Sequence, residues 1–430
     1  MLLLGRDTKR QWSNWSGIAK TTPSSWLTPS TEAQLIDVLR GNSGSVRVVG
    51  SSHSFTPLCA TDDTLIDVAQ LNGLVSHDPA LCQATFWAGT QLRHIGEPLW
   101  QLGQSLINQG DVDVQTLAGA CGTSTHGTGL GLGSFSANVR GLRLVTVSGQ
   151  VIEADANHNA DIFKAAATSL GALGVISQIT LQNMPSYHLA QHEYIAPLSD
   201  TLDNFEQHCL QHRHIEFFSF FQADEVIVKT LDLSDEPASV KPRIELPVSS
   251  ILNISSWLAH GVPGMSRVMQ KLLLTCQGET HKVGPAYKVF PSPRSSRFNE
   301  MEYELPFANG ADCLREIIAA VRASRLRTLY PLEFRRVAAD DVWLSPFQGR
   351  DSASISVHQH VCADHRPLFD LIEPIFWRYG GRPHWGKLHS LSAHELAPLY
   401  SHWQDFAELR QRLDPHGRLL NTHLRKVLLA

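Results

Sequence analysis

A run of small residues, Gly50-Ser51-Ser52-His53-Ser54-Phe55, follows the β-branched stretch Val46-Arg47-Val48-Val49. That order reads as a strand running into a tight turn. Glycine and serine let the backbone approach an anion closely, and consecutive N–H groups in a turn form a concave nest suited to a phosphate. Val49, Gly50, Ser51, Ser52 and Ser54 are therefore candidate cofactor contacts, and His53 projects a nucleophilic ring nitrogen from their midst. Further on, Gly119-Ala120-Cys121-Gly122-Thr123-Ser124-Thr125-His126-Gly127-Thr128-Gly129 reads as a second loop, too poor in large apolar side chains to be core. The two loops, with Gly119, Thr123, Ser124, His126 and Gly127 in the second, could clasp one diphosphate from both sides.

Polar clusters of another kind stand in the second half. Leu332-Glu333-Phe334-Arg335-Arg336-Val337 alternates as a strand, which puts Glu333 and Arg335 on one face. Opposite charges so placed either pair with each other or serve a cleft. His358 and His360 share a face of the strand-like run 354–361; an H-x-H pair could ligate a metal, but no third ligand stands at a recognisable spacing and no metal site is expected. Arg382-Pro383-His384-Trp385-Gly386-Lys387 reads as a rigid turn ending in a lysine.

Ordinary elements must position these groups. Thr31 with Gln34 has the form of a capping box, opening a helix with Leu35, Val38 and Leu39 on one face and Gly41 at its end. Short strands at 46–49, 65–68 and 85–88 surround the first loop, and no G-x-G-x-x-G opens a helix after the first strand, which argues against a Rossmann unit. Strands at 142–147 and 150–154 flank Ser148-Gly149, read as a two-residue hairpin connection. A helix over 161–170 follows, and Gly171-Ala172-Leu173-Gly174-Val175-Ile176 leads into an alternating strand at 177–181. Near Pro185 the pattern changes to longer strands at 214–221, 226–228 and 301–306, with a helix at 367–379. The stretch 235–284 reads as an irregular insertion around an apolar helix at 265–274.

A chain of 430 residues exceeds what one core normally supports, so two domains are expected. The net charge of -5, without clustered Lys or Arg, gives no footprint for nucleic acid. Seven cysteines without a CxxC pair argue against a disulfide framework or zinc cluster. The N-terminal apolar run is too short for a signal peptide and no stretch is long enough for a membrane span, so a cytoplasmic protein is expected.

The V-G-x-x-H-S loop resembles that of the vanillyl-alcohol-oxidase-type FAD oxidoreductases, and within them the sugar-1,4-lactone and alditol oxidases. The ordered series E-x-R (Glu333, Arg335), A-A-D-D-V-W-L-S-P (338–346), a strand histidine (His358) and P-H-W-G-K (383–387) is similar to the same family, as is the terminal Asp414-Pro415-His416-Gly417 through Asn421. The resemblance implies an α+β, PCMH-type fold with an FAD domain at 1–185, a substrate-binding cap at 186–405 and a C-terminal segment, 406–430, returning to the first domain. It also implies FAD joined covalently to His53 through the flavin 8α carbon, with Val175 and Ile176 beside the cofactor.

Flavin oxidation of an alcohol needs a hydride acceptor and a group that manages the hydroxyl proton. Arg335 is expected to hold the substrate oxygen with its fixed fork of donors, and Glu333 to orient Arg335 and accept from sugar hydroxyls. Lys387 would lower the hydroxyl's pKa or stabilise reduced flavin, and His384 and His358 would contact flavin and substrate. Alditol oxidases have a serine near Ala120 and a threonine near His360. Their replacement here, with a lactone-oxidase-like tail ending in Lys426-Val427, favours an aldono-1,4-lactone such as D-arabinono-, L-gulono- or L-galactono-1,4-lactone, with O2 or another acceptor. An alditol (xylitol or sorbitol) is the alternative substrate. A reading from another class, a metal-dependent hydrolase, rests on the 21 histidines and the H-x-H.

Overall fold

A computed structural model describes residues 10–240, 265–292 and 296–429. The reading of the first residues as no signal peptide, and that of 241–264 within the insertion, lie outside them. The β-branched run forms the strand Val46–Val49, which pairs in parallel with Thr64–Asp67, itself parallel to Ser25–Leu27. Helix Glu32–Gly41 packs Leu35, Val38 and Leu39 inward. Its cap is one-sided: Thr31 accepts the Gln34 N–H at 3.2 Å, but Gln34 Oε1 takes the Ser30 N–H at 2.8 Å instead of returning to Thr31.

A second, antiparallel sheet runs in the order Val151–Asp155, Val139–Val145, Val175–Pro185, Gln83–Trp87, Leu74–Asp78, with Gln104–Leu106 on the far end of Val175–Pro185. The expected two-residue hairpin is one residue longer. The Thr146 N–H donates to the Gln150 carbonyl at 2.9 Å and the Gly149 N–H to the Thr146 carbonyl, with Gly149 at φ +77°. A turn followed by a left-handed glycine closes a three-residue loop without splaying the strands.

Past Pro185 the chain enters a nine-stranded antiparallel sheet. Its centre runs Glu225–Leu233, His214–Ser219, Leu332–Val337, Ser352–His360, Phe298–Pro306. These strands are buried on both faces, yet their residues alternate in polarity. Phe217, Phe334, Ile355 and Tyr303 fall on the face covered by helices Phe307–Ala323 and Arg366–Arg378. Phe334 stacks on Phe217 at 5.1 Å and meets Phe205 edge-on at 4.9 Å. A Cβ on Gly310 would strike Ala353 and Phe334, so glycine is what lets the first of these helices lie so close. Glu216, Glu333, Arg335, Ser354, Ser356, His358, Glu300 and Glu302 occupy the opposite face. Register aligns them: Glu216 opposite Arg335, Arg335 opposite Ser354, Glu333 opposite Ser356, and His358 opposite Glu300.

Part of the expected insertion is regular. Helix Met265–Gln277 is present, and Thr280–Pro285 is a strand of the large sheet paired with His188–Pro197. At the C-terminus, Arg418 donates to the carbonyls of Gly44, Val147 and Leu39, and Asn421 Nδ2 to those of Pro57 and Ala60, each at 2.8–3.2 Å. Among the described residues no helix is long and apolar enough to cross a membrane.

Candidate active site

The charged face of the large sheet does not meet the smaller sheets directly. Between them lies a cleft with about 1650 Å3 of empty space, counting its open mouth.

One wall is the His53 loop. The Trp15 N–H donates to the Ser52 carbonyl at 2.8 Å, Trp12 Nε1 to Ser52 Oγ at 2.9 Å, and Asn14 Nδ2 to the Ser54 carbonyl at 3.0 Å. These bonds hold Ser52 at φ +58°, a left-handed conformation unusual for serine. A Cβ on Gly50 would run into the Thr116 side chain, so this close approach of the two loops requires glycine. Trp15 stacks on the His53 ring with centroids 5.5 Å apart. Burial first, and then the charge of Lys387, push the His53 pKa down to about 4, so its imidazole is neutral at neutral pH.

The second segment is not all loop: Leu117–Gly122 forms a short helix capped by Thr116, whose Oγ1 accepts the Gly119 N–H at 3.3 Å. Gly119, Gly122, Thr123, Thr125 and His126 line the cleft. Gly171, Gly174, Val175 and Ile176 add a third edge. There Gly174, at φ +159° with a Cβ position crowded by the Val145 carbonyl, tolerates no side chain. Arg47, which sequence reasoning passed over as strand, ties these edges together. It donates to the carbonyls of Leu58, Leu170, Gly171 and Leu419 at 2.5–3.2 Å.

The opposite wall carries two chains of alternating charge. Arg335 Nε donates to Glu216 Oε2 at 2.7 Å and its Nη2 to Glu333; Glu216 in turn meets Lys229 at 2.9 Å, and Lys229 meets Asp111 at 2.6 Å. In the second chain Lys387 Nζ lies 2.5 Å from Glu300 and 3.3 Å from Glu302, and Glu302 Oε1 lies 3.0 Å from His126 Nε2. Burial opposes the charge of Lys387, but Glu300 and Glu302 outweigh it and raise the lysine pKa. Burial likewise opposes Arg335, whose carboxylate partners hold it charged. Against the same penalty, Lys387 and His358 hold Glu300 at about 2. Burial disfavours a charged His126, yet Glu304 and Glu302 raise its pKa to about 10. His384, whose Nδ1 accepts the Gly386 N–H at 3.0 Å, is pushed to about 3 chiefly by burial.

Most of the residues expected from sequence converge on this cleft: Gly50, Ser51, Ser52, His53, Ser54, Gly119, Thr123, His126, Val175, Ile176, Glu333, Arg335, His358, His384 and Lys387 line it. Val49, Ser124, Gly127 and His360 do not. Val49 packs against Trp12, Trp26 and Leu65. Ser124 is wholly buried and bonds Thr168 at 2.7 Å, and Gly127 lends its carbonyl to His126 Nδ1 at 2.8 Å. His360 sits at the strand end beside Cys362 and Tyr330. Ala120 is fully buried and also off the lining, so neither position used to weigh lactone against alditol touches the cleft. Sequence reasoning missed Trp15, Asp111, Glu300 and Glu302. The last two were legible, since Asn299-Glu300-Met301-Glu302-Tyr303-Glu304 repeats a carboxylate at strand period. His126, Glu302 and His384 place ligand atoms within 4.8 Å of one another. Both His126 nitrogens are nonetheless engaged by Gly127 and Glu302, and one of His384 by Gly386.

A glycine-edged cleft between a small-residue loop carrying a neutral histidine and a sheet face of paired charges defines a flavin-dependent oxidoreductase of two-domain, PCMH-type architecture. Comparison with known proteins agrees. Residues 23–155 match the family described as FAD binding domain, and residues 179–427 the family described as D-arabinono-1,4-lactone oxidase. The chain belongs to this D-arabinono-1,4-lactone oxidase family and is an FAD-dependent enzyme acting on CH–OH groups. It is 38% identical over 427 residues to an L-gulono-1,4-lactone dehydrogenase of Mycobacterium tuberculosis, covering 97% of this chain and 99% of that one. It is 29% identical to the L-gulonolactone oxidase of Mus musculus and 27% to an alditol oxidase of a Streptomyces species, each covering 97% of this chain and 98% of the relative. A cholesterol oxidase of Brevibacterium sterolicum shares the fold at a TM-score of 0.82 and 17% identity, covering 97% of this chain and 96% of that one.

Proposed function

We propose that the protein oxidises a hydroxyl of an aldono-1,4-lactone of the L-gulono type, with FAD attached covalently to His53. The observation that carries this reading is the pairing of Arg335 and Lys387, both locked as cations by buried carboxylates, on the wall facing the His53 loop. Residues 1–185 would hold FAD, 186–405 the substrate, and 406–430 would close back on the first domain, where Arg418 and Asn421 bind its loop carbonyls. When bound, FAD supplies the acceptor for the hydrogen and electron pair leaving the carbinol carbon. Arg335 offers the substrate oxygens donors in a fork held still by Glu216 and Glu333. Lys387 places a positive charge where the hydroxyl oxygen becomes more negative, stabilising the transition state more than the ground state. The neutral His53 ring, stacked on Trp15, keeps a nucleophilic nitrogen available for the flavin bond. The preference for a lactone rests on the 38% relative, not on positions 120 and 360. Free thiols at Cys59, Cys82, Cys121, Cys209, Cys313 and Cys362 fit a reducing compartment, so a cytoplasmic location is part of the reading.

Anaerobic bleaching of the flavin by L-gulono-, L-galactono- and D-arabinono-1,4-lactone, compared with xylitol and sorbitol, tests the substrate. At least one lactone should reduce the flavin faster than either polyol; the reverse order makes the enzyme an alditol oxidase. The same panel in air, followed by peroxide and by dye reduction, reports the electron acceptor.

A further inference from the structure

Oxidising an alcohol releases the hydroxyl proton, and the side chain that receives it must have a vacant, basic atom on the cleft. Among the described lining residues the candidates fall away one by one. Lys387 and Arg335 carry protons already, fixed by Glu300 and Glu302, and by Glu216 and Glu333. Those carboxylates are engaged by the same cations, as Asp111 is by Lys229. Both nitrogens of His126 face acceptors, the Gly127 carbonyl and Glu302, so the ring must carry both protons. His384 spends Nδ1 on the Gly386 N–H, the Cys59 thiol keeps its proton because burial raises its pKa, and His53 is assigned to the flavin.

His358 is left, and its setting suits the task. Nδ1 lies 2.8 Å from the Pro331 carbonyl, which can only accept, so the neutral ring carries its proton on Nδ1 and leaves Nε2 bare. Nε2 faces Glu300 Oε1 at 3.4 Å, too long for a full hydrogen bond while the ring is neutral. A proton arriving on Nε2 turns that approach into an ion pair. Glu300 joins His358 to Lys387, since its other oxygen holds the lysine ammonium at 2.5 Å. Glu333, opposite Ser356, stands diagonally across on the strand at one side, and Phe298 meets the ring edge-to-face at 4.8 Å from the strand at the other.

We infer that His358 is the general base of the reaction, an assignment that rests on the lactone-oxidising reading above. The substrate O–H bond breaks and its proton passes to Nε2. The freed electron pair forms the second C–O bond of the carbonyl, and the carbinol hydrogen leaves with its bonding pair to FAD. Lys387 stabilises the oxygen and Glu300 the imidazolium formed.

The test is the pH dependence of anaerobic flavin reduction by L-gulono-1,4-lactone in single-turnover mixing. In the unaltered enzyme the rate constant should rise with pH along a single acid limb and level off once the base is free of its proton. His358→Asn, whose amide can still donate to Pro331, should keep its FAD, lose the limb and slow reduction by roughly 100- to 10,000-fold. His358→Ala should regain part of the rate when imidazole is added. Glu300→Gln should move the limb to lower pH, because the imidazolium loses its partner. A rate independent of pH in the unaltered enzyme overturns the assignment without any variant. So does an Asn variant that is merely slower at every pH with the limb in place, as a structural role would give. If no lactone reduces the flavin at any pH, the substrate reading fails and takes this one with it.

Discussion

His126 Nε2 lies 3.0 Å from Glu302 Oε1, joining the segment after the cofactor-side helix to a strand of the other sheet beneath the cleft. The two walls are thus coupled by a buried ion pair, with Ser354 Oγ donating to the same carboxylate oxygen at 2.8 Å. The folded pKa of His126 is raised from the ordinary 6.5 to about 10, so its contribution to stability is complete below pH 6.5 and is lost as pH rises through 10. Glu302 is depressed, so its contribution is present above its ordinary 4.5 and is lost as pH falls through its folded pKa. His126→Gln should cost about 3–5 kcal/mol at pH 6, the size expected for breaking a buried pair. That deficit should shrink towards pH 10. Thermal unfolding of both proteins across this range checks it; a deficit constant with pH means that the ring is neutral in the fold.

Covalent flavin is the second expectation. Acid-precipitated protein should remain yellow, and His53→Ala should give a colourless pellet while still binding FAD in its native state. Release of all the flavin from the unaltered protein removes the covalent bond but not the cofactor.

Losing Arg335 bears on folding as well as on turnover. Truncation to alanine strands Glu216 and Glu333 in the interior, which costs about 3–5 kcal/mol of stability. Arg335→Lys is the cleaner probe, because it keeps a charge and gives up the fork. It should retain FAD, and flavin reduction should slow by about 100- to 1000-fold. Reduction at the normal rate would confine Arg335 to a structural role.

Local chemistry made much of this protein readable. The Gly50–Phe55 turn, the alternation through Glu333 and Arg335, and the helix bearing Leu35, Val38 and Leu39 each follow from residues close in sequence, where spacing alone fixes direction. Glu300, Glu302 and Glu304 belong to the same class: their period-two pattern stands in the sequence. Position within a loop was less legible. Ser124 and Gly127 carry the right chemistry for a cofactor nest and Val49 ends the strand that leads into one, yet Ser124 turns to Thr168, Gly127 packs against Asn108 and Gln109, and Val49 joins the apolar cluster of Trp12, Trp26 and Leu65.

What the sequence by itself determined, then, is a set of strands with one charged face and two small-residue segments that could accept a phosphate. Only the tertiary structure decided which charges meet. Cross-strand register sets Glu216 against Arg335 and His358 against Glu300, joining residues far apart in the chain. The stacking of the two layers brings His126 to Glu302 and Lys387 towards the His53 loop. Burial then fixes which groups keep their protons, because removing water makes each charge depend on the partner it finds. Such partners come from the packing of whole sheets, which no local pattern encodes.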